Sequence, residues 1–230
     1  STSDANVGMG NAVMDAAMNG ATFNTAVGHV ALSSLTTGDE NASLGYNSLN
    51  ANTTGGYNTA IGSSALVTDD VGNGTTAIGY ASLNKQNTAS TLTTYNTAVG
   101  GNSGYYNVTG TGNTLIGMDS GLGASGQSHS NNTAVGAYTL RAITTGGSNV
   151  AVGTSAGRSL TTGENNVAVG KDALYYGTTE TDDNIAIGKN SMAGNFGTAA
   201  VNDCIAIGTD SLDAVLTSAA SGSVAIGKSA

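Results

Sequence analysis

A short motif recurs along the whole chain of 230 residues and constrains its fold more than any other feature. In its clearest form the motif is Asn-Thr-Ala-Val-Gly at 24–28, and it returns as Asn-Thr-Ala-Ile-Gly at 58–62. Thirteen copies follow one another, and each ends in a glycine that an apolar residue precedes. Self-similarity at a regular spacing indicates a repeat protein. The glycines of the copies are Gly10, Gly28, Gly45, Gly62, Gly79, Gly100, Gly117, Gly136, Gly153, Gly170, Gly188, Gly208 and Gly227.

The spacing of the copies restricts what each repeat can form. The commonest distance between successive glycines is 17 residues, whereas helical repeats with their turns need about 33 or more. Within a copy, the run from Asn to Gly alternates like a strand. The following segment, such as Ala31-Leu32, fits a second short strand, and Thr36-Thr37-Gly38 has turn chemistry. We therefore predict an all-β, parallel β-solenoid (β-roll) of thirteen coils. Residues 1–230 form one repetitive domain, with a degenerate first copy and a truncated last one.

The two faces of the predicted strand differ in size. Thr25 and Val27 point one way, whereas Ala26 and Gly28 point the other. We expect the Thr and Val face to fill a thin core, and the small face to let another backbone approach closely. One coil contains few large apolar side chains, so a single chain does not complete its own core. We therefore predict an intertwined or side-by-side homotrimer, with a monomeric solenoid as the alternative.

The first position of the motif predicts a polar ladder. It is Asn in ten of the thirteen copies, and the exceptions are Thr75, Cys204 and Ser223. Asn side chains stacked on one another form hydrogen-bonded ladders in repetitive β structures. Cys204 is the single cysteine, so no disulfide forms within the chain, and we expect a small buried thiol. The next position is mostly Thr up to residue 133 and Val or Ile from residue 150.

The composition excludes several classes of protein. Charged residues make up 9% of the chain, against about 25% in an ordinary globular domain. There are 35 glycines and no proline, and the glycines do not recur at every third position, so the chain is not collagen. The formal net charge of −9 predicts that the surface repels nucleic acids and anionic membranes. Apolar stretches are only a few residues long, so we expect no membrane insertion in this segment.

The repeat resembles that of known fibrous proteins. The run Ser-Val-Ala-Ile-Gly at 223–227 is similar to the repeat of trimeric autotransporter adhesin heads, which are trimers of left-handed parallel β-rolls. The longer form, Asn-Thr-Ala-Val-Gly through Ala-Leu and Thr-Thr-Gly, is more similar to phage tail-fibre shafts. The 17-residue period departs from the adhesin pattern. The resemblance implies a structural fibre that attaches to a host or cell surface, located in a virion or outside a cell. A phage fibre is favoured, and an adhesin head is the alternative.

The sequence offers no catalytic constellation, and we expect neither an enzyme nor a bound cofactor. His29 and His129 lie far apart in the sequence without metal-ligand spacing. The acidic groups at 69–70 and 180–183 offer oxygen ligands for Ca²⁺ but match no calcium-binding loop, so we interpret them as solvated turn carboxylates, with a calcium site as the alternative. Two functions of other classes remain open: a glycan-cleaving fibre, which needs paired carboxylates, and an ice-binding solenoid, suggested by recurrent Thr pairs such as Thr36-Thr37.

Receptor contacts are expected in the turns, where a solenoid tolerates variation. The longer gaps between copies indicate insertions near 84–95, 122–131, 193–203 and 213–222. Tyrosines also occur in turns, and exposed Tyr rings stack on sugars while their hydroxyls form hydrogen bonds. We predict that they contact a host-surface glycan or protein. The alternative is that the rings only cap the edges of the core. The candidates are Tyr95, Tyr105, Tyr106, Tyr175 and Tyr176.

Overall fold

The computed structural model describes residues 5–88, 93–177, 181–197, 199–215 and 217–230. It contains thirteen strands of three residues and one turn of 3₁₀ helix at Ser218–Ala220. The strands are β1 (Val7–Met9), β2 (Thr25–Val27), β3 (Ala42–Leu44), β4 (Thr59–Ile61), β5 (Thr76–Ile78), β6 (Thr97–Val99), β7 (Thr114–Ile116), β8 (Thr133–Val135), β9 (Val150–Val152), β10 (Val167–Val169), β11 (Ile185–Ile187), β12 (Ile205–Ile207) and β13 (Val224–Ile226).

All thirteen strands form one parallel sheet in chain order. Each strand pairs with the equivalent residues of the next coil, so that Thr25 lies opposite Ala42 and Val27 opposite Leu44. The predicted parallel β-solenoid is confirmed. The starts of β1 and β13 are 217 residues apart, which gives twelve turns of about 18 residues each. Parallel strands lie about 4.8 Å apart, so the rod is roughly 60 Å long.

The predicted second strand is wrong, because the segment after each glycine consists of turns. In the second coil Val30 and Leu32 have φ values of 51° and 50°, on either side of Ala31. Their amides nonetheless bind the neighbouring coils: Val30 N–H donates to Asn11 O at 2.9 Å, and Leu32 N–H donates to Ser48 O at 3.0 Å. L-residues with large side chains rarely adopt positive φ. Hydrogen bonds between coils hold Val30 and Leu32 at positive φ, and these bonds cannot be predicted from the local sequence.

The assignment of the two strand faces is also wrong. The central alanine of the strand points into the core, and Ala26 and Ala60 are fully buried. The first and third strand residues point outward, and Ile61 is 37% exposed. The core consists of these alanines packed with leucines of the turns, including Leu32, Leu49 and Leu66. The coil is thin, so a leucine from one side leaves room only for a methyl group from the other.

The repeat glycines lie where one coil touches the next. Gly28 has a φ of +138°, and a Cβ atom there would be 2.3 Å from the carbonyl oxygen of Gly45. Gly153 has a φ of +129°, and its Cβ would be 2.6 Å from Gly170 O. The same stacking continues to Gly208, whose Cβ would lie 2.3 Å from Gly227 O. A side chain at these positions would force successive coils apart.

The predicted asparagine ladder runs through the buried side of the rod. Asn41 Nδ2 and its backbone N–H both donate to Asn24 Oδ1, at 3.0 and 2.9 Å. Asn41 Nδ2 also donates to the carbonyl of Gly55 at 2.9 Å, so the amide ties one turn to another. Cys204 occupies the same position, is fully buried, and donates its backbone N–H to Asn184 Oδ1 at 3.0 Å. The ladder satisfies polar groups that would otherwise be buried without partners.

The ladder changes its partners where Asn is replaced. At Thr75 the side chain of Gln86 fills the gap: its Nε2 donates to Thr75 Oγ1 at 3.0 Å and to Asp69 Oδ2 at 2.7 Å. Asn96 Nδ2 then donates to Gln86 Oε1 at 2.9 Å, which rejoins the ladder. Asp69 is fully buried. The prediction that Asp69 is a solvated turn carboxylate is therefore wrong, because the carboxylate serves this internal network.

Candidate functional site

The predicted receptor-contact tyrosines separate into two close pairs and one isolated ring. Tyr105 and Tyr106 meet edge to face, with ring centroids 4.6 Å apart. Tyr175 and Tyr176 repeat this arrangement at 4.5 Å. Tyr95 belongs to neither pair, because it precedes β6 at the side of the sheet and is 72% exposed. The two pairs occupy the fifth and sixth positions after Gly100 and after Gly170.

The first pair lines a surface cleft of about 250 Å³, which we call the first tyrosine cleft. Asn102 Nδ2 donates to Asp119 Oδ1 at 3.2 Å, and Arg141 Nε donates to Asp119 Oδ2 at 3.2 Å. Lys85 Nζ lies 5.8 Å from the Tyr105 ring centroid. The cleft therefore combines aromatic faces with fixed amide, carboxylate and guanidinium groups. Its lining residues are Asn102, Tyr105, Tyr106, Asp119, Leu122 and Arg141.

The second pair lines a similar cleft of about 340 Å³, the second tyrosine cleft. Asn190 Nδ2 donates to Asp210 Oδ1 at 2.8 Å, which orients the amide. The Arg158 guanidinium lies 5.4 Å from the Tyr175 ring centroid and donates a hydrogen bond to the Tyr175 hydroxyl. Its lining residues are Asp172, Tyr175, Tyr176, Asn190 and Ala193.

The repeat makes the two clefts similar, although Asn102 precedes Asp119 in the first cleft whereas Asp172 precedes Asn190 in the second. In each, an Asn and an Asp at the second position after successive glycines stand beside a Tyr pair. Four coils separate Gly100 from Gly170, which is about 19 Å along the rod at the spacing of parallel strands. The Asn, Asp and Arg members of the clefts were not predicted from the sequence. The Asn and Asp residues recur at the second position after a glycine and Arg141 and Arg158 at the fifth, and that recurrence was the signal that could have found them.

A second surface covers the outward side of the whole sheet. It comprises the first and third residue of each strand and the residues that flank each motif, and we call it the outer face. Of nineteen exposed large apolar side chains among the described residues, seventeen lie on the outer face. The other two, Tyr176 and Val215, are in turns. Apolar patches of this extent on soluble proteins mark interaction surfaces.

The polar core contains one buried imidazole. His129 is 1% exposed, and its Nε2 lies 3.1 Å from the Gly121 carbonyl oxygen. A carbonyl only accepts, so Nε2 carries the proton in the neutral ring. Burial lowers the pKa of His129 to about 4, although the hydrogen bond to Gly121 acts in the opposite direction. His129 is thus a neutral structural member of the core at physiological pH.

Other chemistry suggested by sequence has little support in the geometry. Each tyrosine cleft has a single carboxylate, Asp119 or Asp172, among its lining residues, whereas glycoside hydrolysis uses a pair. The Thr36 and Thr53 hydroxyls donate to carbonyls of the following coils at 2.9 and 3.0 Å. These two hydroxyls are therefore used in hydrogen bonds between coils, whereas the second Thr of each pair, Thr37 or Thr54, is exposed.

Metal and membrane features are described for the structured ranges given above. No group of three His, Cys, Asp or Glu side chains there is placed to hold a metal ion. Glu180, part of the second acidic group, lies outside the described residues. In the same part of the chain, no helix has the length and apolar character needed to cross a membrane.

Comparison of the chain with family models, with curated proteins and with solved structures finds no match.

Proposed function

We propose that this chain is a segment of a homotrimeric fibre that attaches to a host or cell surface, with a phage tail-fibre shaft as the favoured setting. The observation that carries the proposal is the pair of similar tyrosine clefts at the same repeat positions of a rod. The apolar outer face supports the trimer, because a single copy leaves it in water along the whole sheet. A bacterial adhesin head remains the second setting. A chaperone domain or a coiled coil with an outer-membrane barrel in the flanking sequence would distinguish the two.

The ligand that best fits the clefts is a surface glycan. Tyrosine rings stack on the apolar faces of sugars, and a few fixed polar groups set the orientation of a bound molecule. Both kinds of group are present in each cleft, where Asp119 or Asp172 stands beside a Tyr pair. Two clefts per chain and three chains multiply weak contacts into a firm attachment. A regularly repeating polysaccharide would engage both clefts of one chain at once.

Replacement of the paired tyrosines by serine tests this function. We expect Tyr105→Ser with Tyr106→Ser to weaken attachment to cells and glycan arrays, and the variant that also carries Tyr175→Ser and Tyr176→Ser to abolish it. The rod should stay folded, because these side chains lie at the surface and Tyr176 is 45% exposed. Circular dichroism and melting temperature provide the folding control.

Two outcomes would contradict the proposal. Undiminished attachment by the fourfold variant would make this segment a spacer, with binding elsewhere on the fibre. Attachment that survives periodate oxidation of cell-surface sugars but is lost after protease treatment of the cells would identify a protein receptor and refute the glycan.

A further inference from the structure

The residues five positions after each repeat glycine form a column along the rod, which we call the fifth-position column. Backbone hydrogen bonds stack its coils on one another: Ala142 N–H donates to Arg158 O at 3.0 Å, and Ser159 N–H donates to Tyr175 O at 3.1 Å. Both arginines of the chain lie in this column, in adjacent coils between the two tyrosine clefts. From the first cleft to the second, the column consists of Tyr105, Leu122, Arg141, Arg158 and Tyr175.

A pocket of about 230 Å³ lies between the two arginines, and we call it the arginine pocket. Arg141 also lines the first tyrosine cleft. Arg158 donates a hydrogen bond to the hydroxyl of Tyr175, which lines the second tyrosine cleft. Each arginine therefore joins the arginine pocket to one of the tyrosine clefts. The residues that line the pocket are Arg141, Ala142, Arg158 and Ser159.

Most of the hydrogen-bond donors of the two arginines are unused within the chain. Arg141 donates through Nε to Asp119 Oδ2 at 3.2 Å, and Arg158 donates through Nη1 to the Tyr175 hydroxyl. A guanidinium has five N–H groups, so four on each arginine find no acceptor among the described residues. Both side chains are only half-buried, which leaves these donors open to a bound molecule.

The arginine pocket also concentrates positive charge in an acidic chain, which has six basic and fifteen acidic residues. Asp119 pairs with Arg141, whereas Arg158 has no carboxylate within ion-pair distance among the described residues. Asp172 of the second cleft is paired with Lys171, at 3.4 Å. Adjacent coils are about 4.8 Å apart, so the two guanidinium charges repel each other. An anion between the arginines would turn this repulsion into two attractions.

We infer that the arginine pocket binds an oxyanion, and that the glycan recognised by the tyrosine clefts is therefore acidic, with a carboxylate, sulfate or phosphate group that Arg141 and Arg158 bind together. Guanidinium groups match such oxyanions through paired N–H donors. The hydroxyl of Ser159 lines the same pocket and can donate one more hydrogen bond. This inference rests on the proposed function and names the class of its glycan.

The net charge of −9 restricts which anions reach the arginine pocket. At physiological ionic strength, exposed charges act over about 8 Å, so the arginines attract only a group that is already close to them. The acidic remainder of the rod repels a polymer of dense negative charge. A glycan whose acidic sugars alternate with neutral ones meets less repulsion, and its neutral sugars are free to stack on the tyrosines. We therefore expect anionic groups that are spaced along the glycan.

Pairs of polymers that differ only in charge test this class of glycan. Hyaluronate carries a carboxylate on every second sugar, and carboxyl reduction converts it into a neutral polymer with the same backbone. κ-Carrageenan and its desulfated form provide the same comparison for sulfate. We expect the protein to bind at least one of the two acidic polymers, and to bind its neutral counterpart about tenfold more weakly or less, because charge-assisted hydrogen bonds are roughly twice as strong as neutral ones. Biolayer interferometry on the immobilised polymers measures both affinities.

Two single variants with the same change in net charge locate the effect. Arg158→Gln should weaken binding of the acidic polymer about tenfold and leave binding of the neutral polymer nearly unchanged. Lys228→Gln removes an exposed positive charge far along the chain and should change neither affinity. Arg158→Lys keeps the charge but lacks the paired donors, so it should restore only part of the loss. The melting temperature of each variant is the folding control.

Inorganic phosphate distinguishes a glycan-borne anion from a free one. It should displace the acidic polymer only weakly, because it cannot use the tyrosine clefts. Competition by phosphate that is as strong as competition by the soluble polymer would identify a site for free ions and overturn the inference.

Three further results would overturn the inference: equal binding of the acidic and neutral polymers, equal effects of Arg158→Gln and Lys228→Gln, or no binding of either acidic polymer. The fourfold tyrosine variant separates these results from the proposed function. If that variant loses cell attachment while Arg158→Gln keeps its full affinity for the acidic polymer, only the acidic class is wrong. If the fourfold variant attaches undiminished, the proposed function itself is wrong.

Discussion

At the scale of single residues, the repeat glycines are required both by contact between coils and by a backbone conformation with positive φ. At Gly153 both conditions hold: φ is +129°, and an added Cβ would lie 2.6 Å from Gly170 O. Gly147 provides the comparison, because it lies in a turn, its φ is ordinary, and its Cβ would meet only Ser130 O at 3.1 Å. Two glycines six residues apart therefore differ in what they tolerate.

We predict that Gly153→Val lowers the free energy of unfolding by several kcal/mol, since backbone strain and overpacking contribute about 1–3 kcal/mol each. Gly147→Val should have a mild effect. Thermal and urea unfolding of the two variants measure the difference. Equal shifts in melting temperature would contradict the role assigned to the repeat glycines.

His129 makes stability depend on pH. In the unfolded chain the His129 imidazole binds a proton with the ordinary pKa of 6.5, whereas in the folded chain its pKa is about 4. Stability is therefore complete above pH 6.5 and falls as the pH drops through this window, because the unfolded state binds more protons. The loss is on the order of 3 kcal/mol at 1.36 kcal/mol for each pH unit.

We predict that His129→Gln, which cannot titrate, shows a shallower loss of stability between pH 6.5 and 4 than the unmodified protein. Urea unfolding at several pH values measures both profiles. Carboxylates titrate in both proteins, so only the difference between the profiles is informative. Parallel profiles would refute the assignment to His129.

At the scale of elements, β7 departs from the repeat and its neighbours compensate. Leu115 stands in the central position that is Ala in β2 and most other strands, and it is fully buried. Glycine replaces the turn leucine on both sides, at Gly104 and Gly121. A Cβ at Gly121 would lie 2.6 Å from Leu115 Cδ2. One leucine from the strand thus fills the space that turn leucines such as Leu140 fill elsewhere.

We predict that this exchange is reversible. Leu115→Ala alone should cost about 2–5 kcal/mol by leaving a cavity, and Gly121→Leu alone about 1–3 kcal/mol by overpacking. The double variant should lose less stability than the two single losses added together, because it restores the pattern of coils such as those of Leu66 and Leu140, where leucine accepts positive φ at this position. A double-mutant cycle by urea unfolding measures the coupling. Additive losses would show that the two sites do not share one volume.

At the scale of the whole molecule, the rod is a sum of similar coils, each in contact only with its neighbours. In such a repeat protein stability is the sum of intrinsic and nearest-neighbour contributions. Every neighbour contact here has the same parts: a strand pair, a stacked glycine and a ladder amide or its substitute. The outer face is the part that a single rod does not satisfy, and it becomes more aliphatic after residue 150.

The sequence by itself determined the features that depend on the period. The position of every strand, the parallel order, the asparagine ladder and the close glycine contacts follow from a 17-residue spacing and from residue types that recur on it. These features involve the same repeat position in successive coils, so alignment of the copies reveals them. The close packing of each Tyr pair is likewise local, because its two members are adjacent in sequence.

Only the tertiary structure decided which strand face points inward and which polar side chains lie beside the tyrosine pairs. Alternation defines two faces of a strand but not which one is buried, since that depends on the volume one coil encloses and on the leucines opposite. The left-handed turn at Leu32 exists because its N–H finds Ser48 O in the next coil. Asp119 and Arg141 join the first tyrosine cleft for the same reason: stacking of coils brings together side chains from different repeats, and no local pattern records that contact.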